Sequence, residues 1–180
     1  IDTRMPSVSK MFPGNSEPHY QYHLEVRPGG ELYFAISIDG ERRVIDTTNF
    51  NVEPNNWYFI IATYDGENLK LYKDGNLYQE SPSYSGNIDN YNQPLQISSF
   101  DIPGYEEQER FNGAIDNIFI SDVALSQSQI NAYIYGAPII ELDGLLGYWK
   151  MNEGEGGKIY DYSGNRNHGD IYLATFIENN

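Results

Sequence analysis

The chain has 180 residues, enough for one domain with a real core and barely enough for two. Its formal net charge of −15 repels phosphate backbones and anionic membrane surfaces, so neither nucleic acid nor lipid is expected as a direct partner. With no Cys, a disulfide framework and thiolate metal sites are excluded, although the compartment stays open.

Sixteen Tyr carry much of the aromatic content and charged residues are only 21%, a soluble, β-leaning composition. No apolar run reaches membrane-spanning length, no leader stands at Ile1, and no lipidation motif or Asn-X-Ser/Thr sequon is present. No membrane insertion is expected, and any export signal is expected outside these residues.

In chain order, KMFPGNSEPHYQ mixes Pro, Gly and polar residues and reads as a loop. From Gln21 to Ile120 apolar residues alternate with polar ones, the pattern of half-buried antiparallel strands. Leu32, Phe34, Ile36 and Ile38 share one face before a turn at Asp39-Gly40. Asp65-Gly66 and Asp74-Gly75 separate three more runs, and because both dipeptides suit positive φ, two successive hairpins are expected. PLQISS and FNGAIDNIFISD (Phe111 to Asp122) are further strands, with the loop-like DIPGYEEQER between them. The one helical signal spans Ser126 to Tyr135, with Ser126 as N-cap, Gln129 at the capping-box position, and Gly136 and Pro138 as stops. Two more strand-like runs follow, Leu145 to Met151 and His168 to Phe176. The fold class expected is all-β, an antiparallel two-sheet β-sandwich of jelly-roll type with one short late helix.

Two groups of residues could bind something. Tyr84, Tyr91 and Tyr105 stand in loop-like stretches near Asn87 and Asp89. An aromatic ring can cover the apolar C–H face of a sugar while amide and carboxylate groups bond its hydroxyls; ordinary loop packing by a Tyr-rich chain is the alternative. Glu153, Asp161, Asn165 and Asn167 put carboxylate and amide oxygens in a Gly-rich loop. Ca²⁺ takes six to eight oxygens at about 2.3–2.6 Å, and this loop could supply several; otherwise Asp161 simply caps an Asx-turn. His19, His23 and His168 lack the spacing of a zinc site and read as surface or loop residues. Ser126 and Ser163 sit in no nucleophile elbow. Trp57 and Trp149 fall within strand patterns and are expected to pack against sheets.

The hairpin NNWYFIIATYDGENLKLYKDGNLY resembles the central signature of the LamG-like jelly-roll family, in the concanavalin A-like lectin/glucanase superfamily. FNGAIDNIFISDVALSQSQI resembles that family's closing strand and short helix, although Asn117 stands where the family usually has Glu. YWKMNEGEGGKIYDYSGNRNHGDI resembles its opening strand and loop. The order departs from the family, because the opening follows the closing strand. Residues 1–137 therefore read as a jelly roll lacking its usual opening strands, and 138–180 as a linker plus opening strands. Those strands either complete the same sandwich, as in a permuted domain, or start a next repeat.

The resemblance implies a structural Ca²⁺ near the Glu153 to Asn167 loop, completed by Asp116 of the closing strand. Some superfamily relatives are retaining glucanases, which need two carboxyl groups about 5–5.5 Å apart. The comparable strand here offers Asp116 without an alternating partner, and the acids of YEEQER (Glu106, Glu107 and Glu109) read as a solvated face. The function expected is a non-catalytic carbohydrate-binding or adhesion module of a larger extracellular, cell-surface or virion-surface protein. The alternative is a structural repeat that meets neighbouring repeats or subunits through its sheet edges and binds no glycan.

Overall fold

A computed structural model describes residues 4–11, 16–100 and 109–177, which divide into two compact units, Ile1–Gly113 and Ala114–Asn180. The first holds β1 (Met5–Met11), β2 (Tyr20–Arg27), β3 (Glu31–Ile38), β4 (Glu41–Asp46), β5 (Ile60–Tyr64), β6 (Leu69–Lys73), β7 (Asn76–Glu80), β8 (Leu95–Ile97), β9 (Ser99–Phe100) and β10 (Glu109–Arg110). All pair antiparallel. One sheet runs β4-β3-β2-β1-β8 and a second β5-β6-β7, with β9 and β10 forming a short pair. Leu32, Phe34, Ile36 and Ile38 of β3 share a buried cluster with Val26, Ile45 and Phe50, and with Leu69 and Leu71 of β6. The two sheets thus close face to face as a β-sandwich. Each such side chain contributes about 1.5–3 kcal/mol when taken out of water.

The turns follow from their residues. Asp39 and Gly40 (φ 53° and 75°) and Asp74 and Gly75 (φ 49° and 84°) both enter the left-handed region that a two-residue hairpin turn requires. The β5–β6 connection differs from expectation. Only Gly66 has positive φ there, and Asp65 works through its side chain, whose Oδ1 accepts the N–H groups of Glu67 (3.1 Å) and Asn68 (2.7 Å).

The second unit holds β11 (Ile118–Ser121), α1 (Gln127–Ile134), a single 3-10 turn (Ile139–Glu141), β12 (Leu145–Trp149), β13 (Lys158–Ile159) and β14 (Gly169–Asp170). Ser126 caps α1 as its sequence dictates, accepting from the Gln129 N–H while the Gln129 carboxamide accepts the Ser126 N–H (2.9 Å). Ile130 buries the inner face of the helix. The displaced opening strand does join a sheet, because β12 pairs antiparallel with β11, Ile118 opposite Trp149 and Ile120 opposite Gly147. A Cβ at Gly147 would lie 2.3 Å from the Trp149 ring, so only Gly fits beneath that indole.

Several strand expectations shorten. Of Phe111 to Asp122, four residues form β11. Of His168 to Phe176, Gly169 and Asp170 alone pair, with β13. Trp57 precedes β5 and is 65% exposed, whereas Trp149 is 6% exposed as expected. The residues before Trp57, Pro54-Asn55-Asn56, make a turn instead of extending the strand, which takes the indole off the sheet.

His23 is no surface residue. It stands on the face of β2 turned away from the sandwich core and is fully buried with Ser9 and Glu25. Ser9 lies opposite His23 in the β1–β2 register, and its Oγ is 2.6 Å from His23 Nδ1; His23 Nε2 is 3.1 Å from Glu25 Oε2. Arg4 and Arg27 close on the same carboxylate at 2.8 Å, Arg27 also reaching Asp46 (2.6 Å) and covering the Tyr33 ring, while Tyr20 stacks on His23. Two arginines balanced by Glu25 and Asp46 leave no charge for an imidazolium to neutralise. Burial accordingly pushes His23 down despite Glu25 beside it. Burial alone would raise Glu25, but His23 and the two guanidinium groups outweigh it and hold the carboxyl at about 2.

Both shifts leave the unfolded chain binding more protons than the folded one on the acid side. On the acid side of neutrality, stability is therefore expected to fall below pH 6.5 as His23 of the unfolded chain protonates, and to fall further from pH 4.5 towards 2 with Glu25. Urea unfolding against pH checks this, and His23→Gln should remove the upper limb. Glu25→Ala, which strands two partly exposed arginines, is expected to cost about 3 kcal/mol near neutral pH.

Candidate functional site

In the first unit, the loop between β7 and β8 carries Tyr84, Asn87, Asp89 and Tyr91. Their polar groups are mostly spent on the fold. Asp89 Oδ2 accepts from Ser37 Oγ, from the Gly40 N–H (2.8 Å) and from the Tyr91 hydroxyl (3.1 Å), while Asp89 N–H donates to Ser37 O (2.9 Å). Burial would raise the Asp89 carboxyl, yet these donors hold it below the ordinary carboxylate range. Tyr91 N–H donates to Gln21 Oε1 (2.9 Å). Tyr84 packs against the core, and its carbonyl, with that of Gly86, accepts the Tyr64 hydroxyl at 2.5 and 2.8 Å. These are stitches that fasten the loop to β3 and β5. Asn87 is exposed, and its amide has no hydrogen-bond partner among the described residues. Tyr105 lies outside the described residues, as do Glu106 and Glu107.

A different part of this unit presents an unspent surface. The connection from β4 to β5 places Asn49, Asn51 and Asn55 at φ 64°, 53° and 64°, conformations that Asn tolerates better than most residues. Its backbone is anchored on both sides of the exposed Trp57. Glu53 N–H donates to Tyr58 OH (3.1 Å), Phe59 N–H donates to Asp74 Oδ1 (2.9 Å), and Asp74 N–H donates to Phe59 O (2.8 Å). Lys73 Nζ lies 4.6 Å from the Tyr58 ring centroid. Asn55, Asn56 and Asn76 are exposed around this anchor. The strand pattern places Trp57 against a sheet, but Pro54-Asn55-Asn56 is the punctuation in the sequence that ends the run before it.

In the second unit, the structure gathers Glu153, Asp161, Asn165 and Asn167 about β12, while Asp116, exposed ahead of β11, comes near enough for its charge to add to burial in raising the Tyr148 hydroxyl. Asp161 is 7% exposed and its two oxygens accept four donors: the N–H groups of Tyr148 (2.9 Å), Ser163 (2.8 Å) and Asn167 (2.9 Å), and the Ser163 hydroxyl (2.9 Å). Burial would raise this carboxyl, and the donors more than offset it, holding it below its ordinary value. Asn165 and Asn167 turn their NH₂ groups to the Leu145 and Leu146 carbonyls at 2.9 to 3.1 Å. Glu153 Oε1 accepts the Tyr160 N–H (2.8 Å), while its Oε2 is buried without a partner. The closing-strand residue that reaches β12 is Asn117, whose Oδ1 accepts the Tyr148 hydroxyl (2.9 Å).

Among the described residues no three acidic or histidine side chains converge. A carboxylate has about four lone-pair positions, and those of Asp161 are filled. The oxygens this loop still offers a cation are Glu153 Oε2 and the Oδ1 atoms of Asn165 and Asn167, whose NH₂ groups alone are engaged, and these are fewer than the six that Ca²⁺ takes. The arrangement instead ties a loop to a strand, with Trp149 Nε1 donating to Asn167 O (2.8 Å) as a further tie.

The Ser9, His23 and Glu25 line resembles a nucleophile relay in residue type only. Ser9 is fully buried and Glu25 is committed to two arginines, so neither substrate nor leaving group can reach it. Asp161→Ala, which leaves four donors unmatched, is expected to destabilise the chain by roughly 3 kcal/mol. A chelator is expected to leave the melting temperature of the wild type unchanged, both read by calorimetry.

Among solved structures, this chain is similar to a candidate carbohydrate-binding protein from Bacteroides ovatus ATCC 8483, at 21% identity and a TM-score of 0.67 over 92% of this chain and 50% of that one. It thus spans half the length of that protein, and at this identity the likeness shows the fold alone. Residues 221–444 of an S-layer domain-containing protein from Clostridium thermocellum ATCC 27405 align at 21% identity over 74% of this chain and 64% of theirs, with a TM-score of only 0.34. No curated protein matches. The Laminin_G_3 family model matches residues 2–131, well over half of the chain and including the hairpin and closing-strand motifs. The chain belongs to this family of the concanavalin A-like lectin/glucanases superfamily.

Proposed function

We propose that the protein is a non-catalytic carbohydrate-binding module, used for adhesion within a larger extracellular or surface-displayed protein. The observation that carries this reading is its membership of a lectin-like family, on a sandwich shared with a candidate carbohydrate-binding protein. Catalysis is disfavoured by the site chemistry. Asp116 is exposed ahead of β11, and the next residue, Asn117, is held by Tyr148. No second carboxyl alternates with Asp116 along the strand, so the acid pair that a retaining mechanism requires is not assembled there.

A second reading, a structural or assembly repeat, is supported by one specific observation. Tyr172, Leu173 and Ile177, in the run that follows the family-like opening loop, are 83%, 93% and 64% exposed. The β11–β12 and β13–β14 sheets have only two strands each, and two-stranded sheets are marginal alone. An exposed apolar run next to such short sheets suits addition to a neighbouring repeat or subunit. The β11–β12 pairing supports a permuted domain, while the exposed run supports a repeat that continues into another sandwich.

A glycan array with and without a chelator tests the first reading. Binding to a defined set of glycans, retained under chelation and without release of reducing sugar, is expected. No binding to any glycan, with concentration-dependent self-association, would put the assembly reading in its place. Reducing-sugar release from a β-glucan would overturn both.

A further inference from the structure

Resting on the carbohydrate-binding reading, we infer that its contact surface is Trp57 with the amide of Asn55, and that its ligand is a neutral glycan presenting an apolar pyranose face. The sequence points elsewhere, to Asp89 and Tyr91. Those groups, however, already satisfy one another, Ser37, Gly40 and Gln21. A sugar bonding them would first have to break bonds that hold the loop to β3, so they have little left to give.

Trp57 has the opposite character. Its indole is 65% exposed, and its N–H has no hydrogen-bond partner among the described residues; the other Trp, at position 149, is buried and donates to Asn167 O. A large aromatic side chain held in water costs free energy until something covers it, and the exposed case is the informative one. The backbone beneath it is already fixed. Phe59 and Asp74 exchange two hydrogen bonds at 2.8 and 2.9 Å, and Tyr58 is fastened through its hydroxyl to Glu53 N–H and by its ring to Lys73. A platform that need not be ordered on binding loses less entropy when the ligand arrives.

The surroundings narrow the ligand. Asn55, two residues before Trp57, is exposed and its amide has no hydrogen-bond partner among the described residues, so it offers both a donor and an acceptor to sugar hydroxyls. A β-linked glucopyranose, whose ring C–H bonds are all axial, gives the flat apolar face that an indole covers best. Acidic polysaccharides are disfavoured by the chain's charge of −15, with Glu53 and Asp74 close to the site.

Both Trp residues are distinguishable, which makes the test direct. In a Trp149→Phe background, fluorescence reports Trp57 alone. Cellohexaose, laminarihexaose and the neutral hits of a glycan array are titrated against it, with polygalacturonate as the anionic control. The neutral binders should shift the emission to the blue and shield it from acrylamide, and polygalacturonate should do neither. Trp57→Ala should weaken binding, measured by calorimetry, at least tenfold without changing the melting temperature, and Tyr91→Phe should retain it. Glycan binding that persists in Trp57→Ala would overturn the surface assignment while leaving the carbohydrate reading intact. If no glycan binds the wild type, that reading fails and this inference with it.

Discussion

Strand β3 is buried on both of its faces, and the first unit is arranged around that constraint. Leu32, Phe34, Ile36 and Ile38 look into the sandwich, while Tyr33, Ala35 and Ser37 look away from it and are buried too. A central strand with no wet side needs every polar group near it answered from within. Three separate devices supply the answer. Arg27 covers Tyr33, the Asp89 carboxylate reaches Ser37, and Thr47 Oγ1 accepts the Leu32 N–H (2.8 Å). The Glu25 network on the neighbouring strand extends the same solution, with one buried carboxylate serving two arginines and a neutral histidine.

Much polar chemistry that looks functional in a one-dimensional sequence is therefore consumed in holding strands and loops. Asp161 in the second unit repeats the lesson: a carboxylate in a Gly-rich loop suggests a metal ligand, yet four donors of its own neighbourhood already surround it. What remains for recognition is what the fold leaves unanswered. Among such groups are the Trp57 indole and Asn55 in the first unit, and the exposed Tyr172 to Ile177 run in the second. The two point to different kinds of partner, a sugar face and a sheet edge, and one surface protein can use both.

The sandwich was legible in the sequence because its strands alternate cleanly and because Asp39-Gly40 and Asp74-Gly75 favour two-residue turns, although Asp65-Gly66 turns the chain through the Asp65 side chain instead. The capping box of α1 was equally plain, since Ser126 and Gln129 specify it locally. Positions set by long-range contacts were not legible. His23 reads as one scattered histidine until β1 brings Ser9 opposite it and β2 places Glu25 on the same face. Asp116 and Asn117 are adjacent in sequence, yet it is Asn117, at a left-handed backbone position (φ 51°), that hydrogen-bonds Tyr148, while Asp116 acts on that hydroxyl through its charge. Trp57 was misplaced for a local reason, as the alternation was carried through an Asn-Asn pair that ends it.

The account stands or falls on whether free and consumed polar groups separate binding from scaffold. The most direct measurement is the proton–nitrogen correlation spectrum of the labelled protein titrated with a neutral β-glucan hexasaccharide. The account predicts that the Trp57 indole resonance and the side-chain amide of Asn55 move together, while the Trp149 indole and the backbone amides of Asp89 and Tyr91 stay in place. Movement confined to Asp89, Tyr91 and their loop, with Trp57 unchanged, would contradict it.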